Sequence, residues 1–251
     1  MVKPRVIQSV DRALSILELY NRNNLEYSVS EIANELQLNK STVFGLLKTL
    51  LDRGYLHQNP GNAKYSLGLK ALEIGYNVQI NSVLLQKARP YLEKISDRFN
   101  ETVHLAIEDN EQVLYIDRIL GSKTISMNSE VWMRHPIYCT ALGKTLLVYM
   151  PEDRRERILK YINFERRTQN TITNLKDLRA ELEITYNRGY AIDNEEFEFG
   201  LICVSVPVIN KEKGIIAAIS LSTPIIRFNY DTIEEIAQYL KEMARNIEEN
   251  I

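Results

Sequence analysis

Two groups of side chains in this 251-residue chain have types and spacings that could do chemistry. The first lies on the run Lys40-Ser41-Thr42-Val43-Phe44-Gly45-Leu46-Leu47-Lys48-Thr49. At the helical step of 100° per residue, Ser41, Gly45 and Lys48 share one face, flanked by Thr42 and Thr49. Short hydroxyls reach phosphates or base edges, and a lysine neutralises a phosphate. Glycine inside a helix costs about 1 kcal/mol against alanine, so Gly45 marks either a close approach of another backbone or a plain exposed position. The second group is scattered: His104, His135, Cys139, Asp193 and Cys203. Cys203 with either histidine and Asp193 could form a nucleophilic set acting on a small molecule, although such sets are spatial and cannot be read from separation. His135, Cys139, Asp193 and Cys203 offer nitrogen, sulfur and oxygen ligands for zinc, but without a close-pair spacing. Plainer readings stand beside these. Cys203 in a strand is a small buried hydrophobe, Asp193 with Glu195 and Glu196 is a solvated loop, and His135 before Pro136 is structural.

The elements that must position the first group are legible. Ser9 and Asp11 open a helix to about Tyr20, Ser30 caps a short helix to Leu36, and Asn39 caps a second from Lys40 to Arg53. Val43, Leu46, Leu47, Leu50 and Leu51 form one apolar stripe, expected to pack on Ile32, Ala33 and Leu36 and on Val10, Leu14 and Leu17. A hairpin spans Gly54 to Leu67, with Asn59-Pro60-Gly61-Asn62 as its turn. Lys64 and Tyr65 stand where such a wing could touch a sugar-phosphate backbone. Two helices, a tight turn and a β wing place one helix in the DNA major groove. The expected partner is double-stranded operator DNA, and Ser30, Lys40, Ser41, Thr42, Phe44, Gly45, Lys48 and Lys64 are the candidate DNA-facing residues. A helical hairpin that binds nothing is the competing reading.

Charge agrees in sign. Residues 1–66 hold 8 Lys and Arg against 6 Asp and Glu, whereas the remainder holds 23 against 27. The excess is so small that phosphate contacts must come from a few placed residues. Two cysteines in no pair motif argue against a disulfide scaffold and fit a reducing cytoplasm. The N-terminal residues lack the apolar core of a signal peptide, and no apolar run is long enough for a bilayer, so no membrane partner is expected. No phosphate-binding glycine loop, zinc-protease helix or dinucleotide fingerprint occurs, and no cofactor is expected.

Beyond the hairpin, residues 68–80 read as a connecting helix whose apolar Leu69, Leu72, Ile74 and Tyr76 need a partner, a second subunit being one candidate. Residues 83–99 are an amphipathic helix. Residues 103–107 and 112–118 alternate as strands about a turn at 108–111, and 124–128 suggest a third strand. Helices follow at 141–150, after Pro151 as a first-turn proline, and at 174–188, closed by Gly189. Residues 190–193, 202–209 and 214–222 read as strands, and Asp231 caps a final helix. Mixed elements with hairpin pairs make this half α+β.

The run Lys40-Ser-Thr-Val43 with Leu46-Leu47 and Leu50, Arg53-Gly-Tyr55 and Tyr65-Ser-Leu-Gly68 resembles the IclR family of bacterial transcriptional regulators. So do Ala88-Arg-Pro-Tyr-Leu92, Glu101-Thr-Val-His-Leu105, Thr140-Ala-Leu-Gly-Lys144, Asn170-Thr-Ile-Thr173, Arg188-Gly-Tyr-Ala191, Asp193-Asn-Glu-Glu196, Gly200-Leu-Ile-Cys-Val204 and Ala218-Ile-Ser-Leu-Ser222. The resemblance covers nearly the whole chain in order. It implies a winged helix-turn-helix in residues 1–67, a linker helix in 68–81 and a GAF-like α+β effector-binding domain in 82–251. It also implies a homodimer or tetramer, and repression of a catabolic operon modulated by a small organic or sugar acid. Many members carry a histidine where this chain has Phe44 and a longer polar residue at Gly45. The family's carboxylate-effector site maps onto Ala141, Leu142, Asp193, Cys203, Ser220 and Ser222. Physical chemistry supports that mapping. A helix N-terminus at Ala141 and Leu142 favours an anion. Ser220 and Ser222 alternate onto one strand face, opposite Ile219 and Leu221. Met127, Trp132 and Leu142 could supply apolar lining.

Overall fold

The computed structural model describes residues 6–21, 23–122 and 131–251. The chain divides into two compact units, Met1–Ser82 and Val83–Ile251.

In the first unit, α1 (Gln8–Glu18), α2 (Val29–Glu35) and α3 (Lys40–Asp52) precede a two-stranded hairpin, β1 (Leu56–Gln58) with β2 (Tyr65–Leu67), and then α4 (Leu69–Asn81). The apolar stripe of α3 does what its periodicity requires: Val43, Leu47 and Leu50 are buried against Ile32 and Ala33 of α2. The contribution from α1 is only partly the one expected, Leu17 packing on this cluster as foreseen. Ile16 is fully buried there, while Val10 and Leu14 are more than half exposed, because α1 presents the face bearing Ala13, Ile16 and Leu17. The start of α2 is also two residues earlier than expected. Ser28, not Ser30, is the N-cap, and it closes a reciprocal capping box with Glu31. Ser30 is helical and half-buried. Asn39 stands at the N-cap of α3 but makes no side-chain cap bond. Tyr65 belongs to the core rather than to a nucleic-acid surface, 5% exposed and paired through its backbone with Tyr27.

The second unit is one antiparallel six-stranded sheet in the order β5-β4-β3-β8-β7-β6. Its strands are β3 (Thr102–Asp109), β4 (Gln112–Ile119), β5 (Arg134–Pro136), β6 (Ala191–Asn194), β7 (Leu201–Asn210) and β8 (Gly214–Pro224). The β3–β4 turn is tighter than expected. Only Asn110 and Glu111 form it, both at positive φ, which is the two-residue geometry that matches strand twist and lets the ladder run on to Asp109 and Gln112. The suggested strand over 124–128 lies outside the described residues; β5 was not anticipated.

Alternation divides the two faces by chemistry. Val103, Leu105, Val204, Val206, Ile219 and Leu221 face α5 (Val83–Phe99) and α9 (Ile233–Glu248), whose buried stripe includes Ile236, Leu240 and Ile247. The other face carries His104, Cys203, Ser205, Ser220 and Ser222, all buried. It packs on α6 (Ala141–Tyr149), backed by α8 (Leu175–Arg188). Polar residues on a buried face must find partners, and that requirement locates the site. Smaller corrections concern helix starts. Pro151 is the N-cap of α7 (Glu152–Tyr161), not its first helical residue, and the N-cap of α9 is Thr232, with Asp231 in the preceding 3₁₀ turn. No helix of the described residues is long and apolar enough to cross a membrane.

Candidate functional site

Two surfaces carry the candidate residues. On α3, the face opposite the buried stripe is built as its periodicity requires. Lys40, Ser41, Phe44, Gly45 and Lys48 are exposed and Thr42 is half-buried. Phe44 is 57% exposed, a large apolar ring held in water on a helix that has a core to bury it in. A Cβ at Gly45 would meet nothing within 4 Å, so the glycine answers no packing need inside the chain. Thr49 is turned inward on its own helix, its hydroxyl donating to the Gly45 carbonyl at 3.1 Å. Ser30 is not part of this face. In the wing, Lys64 Nζ lies 3.0 Å from Glu31 Oε1, tying hairpin to α2. The Ser28 amide, Lys64 and the Ser28 hydroxyl hold the Glu31 carboxyl down at about 2.

The second surface is internal. Thr140, Ala141 and Leu142 at the start of α6 meet Tyr115 of β4, Asp193 of β6, Leu201 and Cys203 of β7, Ser220 of β8 and Phe197 around one closed cavity. Its volume is about 10 Å³, at the lower limit of what one water occupies. Of the residues expected here, Ala141, Leu142, Asp193, Cys203 and Ser220 are brought together. Ser222 is one step removed: it accepts from the Cys203 thiol at 3.2 Å and faces His104 Nδ1 at 3.4 Å. Trp132 is half exposed and does not line the cavity. Met127 lies outside the described residues.

The N-terminus of α6 is held close by Gly143. A Cβ there would sit 2.1 Å from the Ile137 carbonyl oxygen, so only glycine allows this approach. The Thr140 hydroxyl accepts from the Gly143 amide and the Thr140 carbonyl from that of Lys144. Among the described residues, the amides of Ala141 and Leu142 have no acceptor. Two orphan donors at a buried helix N-terminus have the chemistry to take an anion.

Asp193 opposes them, 2% exposed. Burial and then the neighbouring Glu196 push its carboxyl up to about 7, against Lys144 and the amides of Glu196 (2.7 Å) and Phe197 (3.3 Å), which bond its Oδ1. Because the folded value lies above the ordinary 3.8, the folded chain holds the extra proton between about pH 4 and 7. Stability therefore falls as pH rises through that window, and the cost is fully present above it. Asp193→Asn still accepts the two amides but cannot ionise. Its melting temperature relative to the parent is expected to climb from pH 4 to 7 and then level off, measured by calorimetry. A difference independent of pH would mean that Asp193 stays ionised.

The sequence reading missed the charges behind this wall. Lys144 is fully buried, its Nζ 2.5 Å from Glu196 Oε1 and 3.5 Å from Glu181 Oε1. Glu196 is buried as well, so Asp193, Glu195 and Glu196 are not a solvated loop. The available signal was a lone lysine in an otherwise apolar helical run, Ala141–Tyr149, which reads as buried on all sides. The nucleophilic reading finds no support in the geometry. Burial raises the Cys203 thiol well above its ordinary value, next to Asp193, and its hydrogen bond goes to Ser222. Burial also lowers His104 to about 3 and His135 to about 4. Among the described residues, no cluster of three or more His, Cys, Asp and Glu is arranged to hold a metal.

Comparison with known proteins places both surfaces in one lineage. Residues 9–60 match the IclR helix-turn-helix domain, and residues 78–249 match the bacterial transcriptional regulator IclR C-terminal domain. The chain is 40% identical over 218 residues to the HTH-type transcriptional regulator XynR of Escherichia coli K12, covering 87% of this chain and 86% of that one. The Thermotoga maritima IclR crystal structure superposes with a TM-score of 0.78 at 34% identity, over 97% of this chain and 98% of that one. An IclR homolog from Microbacterium hydrocarbonoxydans, complexed with 4-hydroxybenzoate, gives a TM-score of 0.85 at 25% identity over 96% and 98%.

Proposed function

This chain belongs to the IclR family of bacterial transcriptional regulators, and from that premise we propose that a small organic acid, bound in the cavity at the start of α6, controls its grip on operator DNA. The family is one of DNA-binding regulators with an effector domain, not of enzymes, and the Cys/His catalytic alternative is set aside. The observation that carries the effector reading is the pair of orphan amides, Ala141 and Leu142, facing a cavity with Ser220, Cys203 and Asp193 on its walls. Backbone donors and the helix dipole take the carboxylate; Tyr115, Leu142, Phe197 and Leu201 take an apolar body. That one structural relative is in complex with 4-hydroxybenzoate, itself a carboxylate, fits this chemistry. A thermal-shift screen of small carboxylic acids tests it, since a ligand of the folded state raises the midpoint. Hits should then alter a gel shift with DNA flanking the protein's own gene. A screen in which no acid raises the midpoint would remove the cavity as an effector site.

At the DNA, α3 is the recognition helix. Ser41, Thr42 and Lys40 reach phosphates or base edges, Phe44 offers its ring to a thymine methyl, and Gly45 lets the backbone come close. Lys48 neutralises a phosphate. Lys48→Ala should weaken binding evenly across sequences and reduce the slope of log affinity against log salt by about one. An unchanged slope in a salt titration would move Lys48 off the backbone. Lys64 reaches a phosphate only by leaving Glu31, so its contribution is the smaller one.

The linker role falls to α4. Leu69, Leu72 and Tyr76 recur at i, i+3 and i+7 and are 83%, 71% and 60% exposed, an open apolar helix face among the described residues. A second copy covers it, and the resulting two-fold places two recognition helices on two half-sites. Leu69→Glu with Leu72→Glu is expected to give a folded monomer with much weaker operator binding. Sedimentation at micromolar concentration decides this, and an undisturbed dimer would move the interface elsewhere. The regulator acts in the cytoplasm as a repressor that the acid releases or tightens.

A further inference from the structure

A cavity of about 10 Å³ cannot hold an organic acid, so on the effector reading one of its walls must move. Tyr115, Asp193, Leu201, Cys203 and Ser220 stand on paired strands, and Thr140, Ala141 and Leu142 form the cap and first turn of α6. Phe197 alone among these wall residues belongs to neither. It lies on the segment between β6 and β7. The ends of that segment are fixed through backbone. Glu195 N donates to Leu201 O at 2.9 Å, and Ile225 N donates to Gly200 O at 2.8 Å. Between those points the backbone is hydrogen-bonded by side chains. Asp193 takes the amides of Glu196 and Phe197. Thr168 and Thr171 donate to the carbonyls of Glu195 (2.5 Å) and Glu196 (2.6 Å). Glu195 at φ +57° and Gly200 at φ +82° bracket the stretch in left-handed backbone, the conformation in which a chain reverses most sharply.

The ring of Phe197 is wedged between the His135 ring, 4.9 Å away edge-on, and the Arg167 guanidinium at 4.8 Å. Behind it, Glu196 spends one carboxylate oxygen on Lys144, while its Oε2 is buried with no partner. An acceptor left dry and unbonded costs free energy that water would return, so the closed position is held by Lys144 against that bias.

We propose that residues 194–200 form a strap through which the effector cavity opens, with Phe197 as its plug and the Lys144–Glu196 ion pair as its latch. Lys144 lies in the first turn of α6, next to the amides of Ala141 and Leu142, so the helix end assigned to the effector also holds the strap. Asp193 is shared in the same way, since the carboxylate that faces the effector is the one that bonds the strap amides. An acid that draws on either group loosens the latch as it binds.

This proposal rests on the effector reading, but its test needs no effector. The chain has two cysteines. Cys203 lines the cavity, whereas Cys139 is buried in the apolar cluster around Leu146 and Leu147 and does not. The small neutral reagent methyl methanethiosulfonate, applied to the full-length protein, reports strap opening at Cys203 and wider unfolding at Cys139, read by peptide mass spectrometry. Cys203 is expected to react at least tenfold faster than Cys139. Phe197→Ala and Thr171→Val should each raise the Cys203 rate several-fold and leave Cys139 unchanged. Lys144→Met should raise it most, and if that variant proves poorly folded by circular dichroism, the other two decide. Equal rates at the two cysteines, or a Cys203 rate indifferent to Phe197→Ala and Thr171→Val, would overturn the strap. Failure of the effector reading appears separately, as a protein whose strap opens but whose midpoint no acid shifts.

Discussion

A Leu47→Ala chain is expected to lose operator binding through the unfolding of its N-terminal unit, while the C-terminal unit stays folded. Leu47 is fully buried on α3, with Ile16 of α1 and Ile32 of α2 equally buried in the same cluster. Removing a buried leucine side chain costs about 2–5 kcal/mol, through lost transfer energy and the cavity left behind. A unit of this size typically holds only about 4–12 kcal/mol in all. The loss is therefore a large fraction of what keeps α3 in place. Calorimetry should show one transition lowered by roughly 10 °C or more and a second unmoved, given about 4–8 °C per kcal/mol for a domain of this length. The C-terminal unit has its own core, built on α5, α9 and the sheet, so effector-induced stabilisation should survive. A variant with parental DNA affinity and an unshifted lower transition would show that the α3 stripe is not what holds the recognition helix.

The second large effect is at Ser220. Ser220 lines the cavity with Cys203, Ala141 and Leu142, and on the effector reading its hydroxyl joins the two amides in holding the carboxylate. A hydrogen bond to a charged group is worth about 1.5–3 kcal/mol, which is a loss of about ten- to a hundredfold in affinity when Ser220 becomes alanine. Ser222→Ala should cost distinctly less, because Ser222 is already engaged by Cys203 and His104 and reaches the cavity only through them. DNA binding without effector should be unchanged in both. Titration calorimetry with an acid found by the midpoint screen separates the two residues. Equal losses would mean that both hydroxyls touch the ligand, and no loss at Ser220 would place the carboxylate elsewhere.

That asymmetry between two serines marks the line between sequence and structure. Alternation along Ala218–Ser222 was enough to put both hydroxyls on the face opposite Ile219 and Leu221, because a strand has a period of two and no freedom to depart from it. The register was not legible. Ser222 pairs across from Cys203 and Ser220 from Ser205, and it is this cross-strand neighbour that decides which hydroxyl is taken. The same holds in the winged unit. The leucine stripe and exposed face of α3 followed from 3.6-residue periodicity, and the hairpin from its turn residues. The choice between Ser28 and Ser30 as cap, or Ile16 and Leu14 as core, depended on which way each helix was rotated by its neighbours. Local sequence constrains that rotation only loosely.

What the sequence by itself determined is therefore the type and order of the elements, the exposed face of α3, and a family pattern spread over nearly the whole chain. What only the tertiary structure decided is the cavity: its closure by Phe197, the burial of Asp193 and Glu196, and the pairing of Glu196 with Lys144. The Lys144–Glu196 pair joins residues 52 positions apart. Burial and charge pairing are properties of what surrounds a side chain in space. A periodicity can say which face a lysine is on, but not that a carboxylate from another loop has been folded onto it.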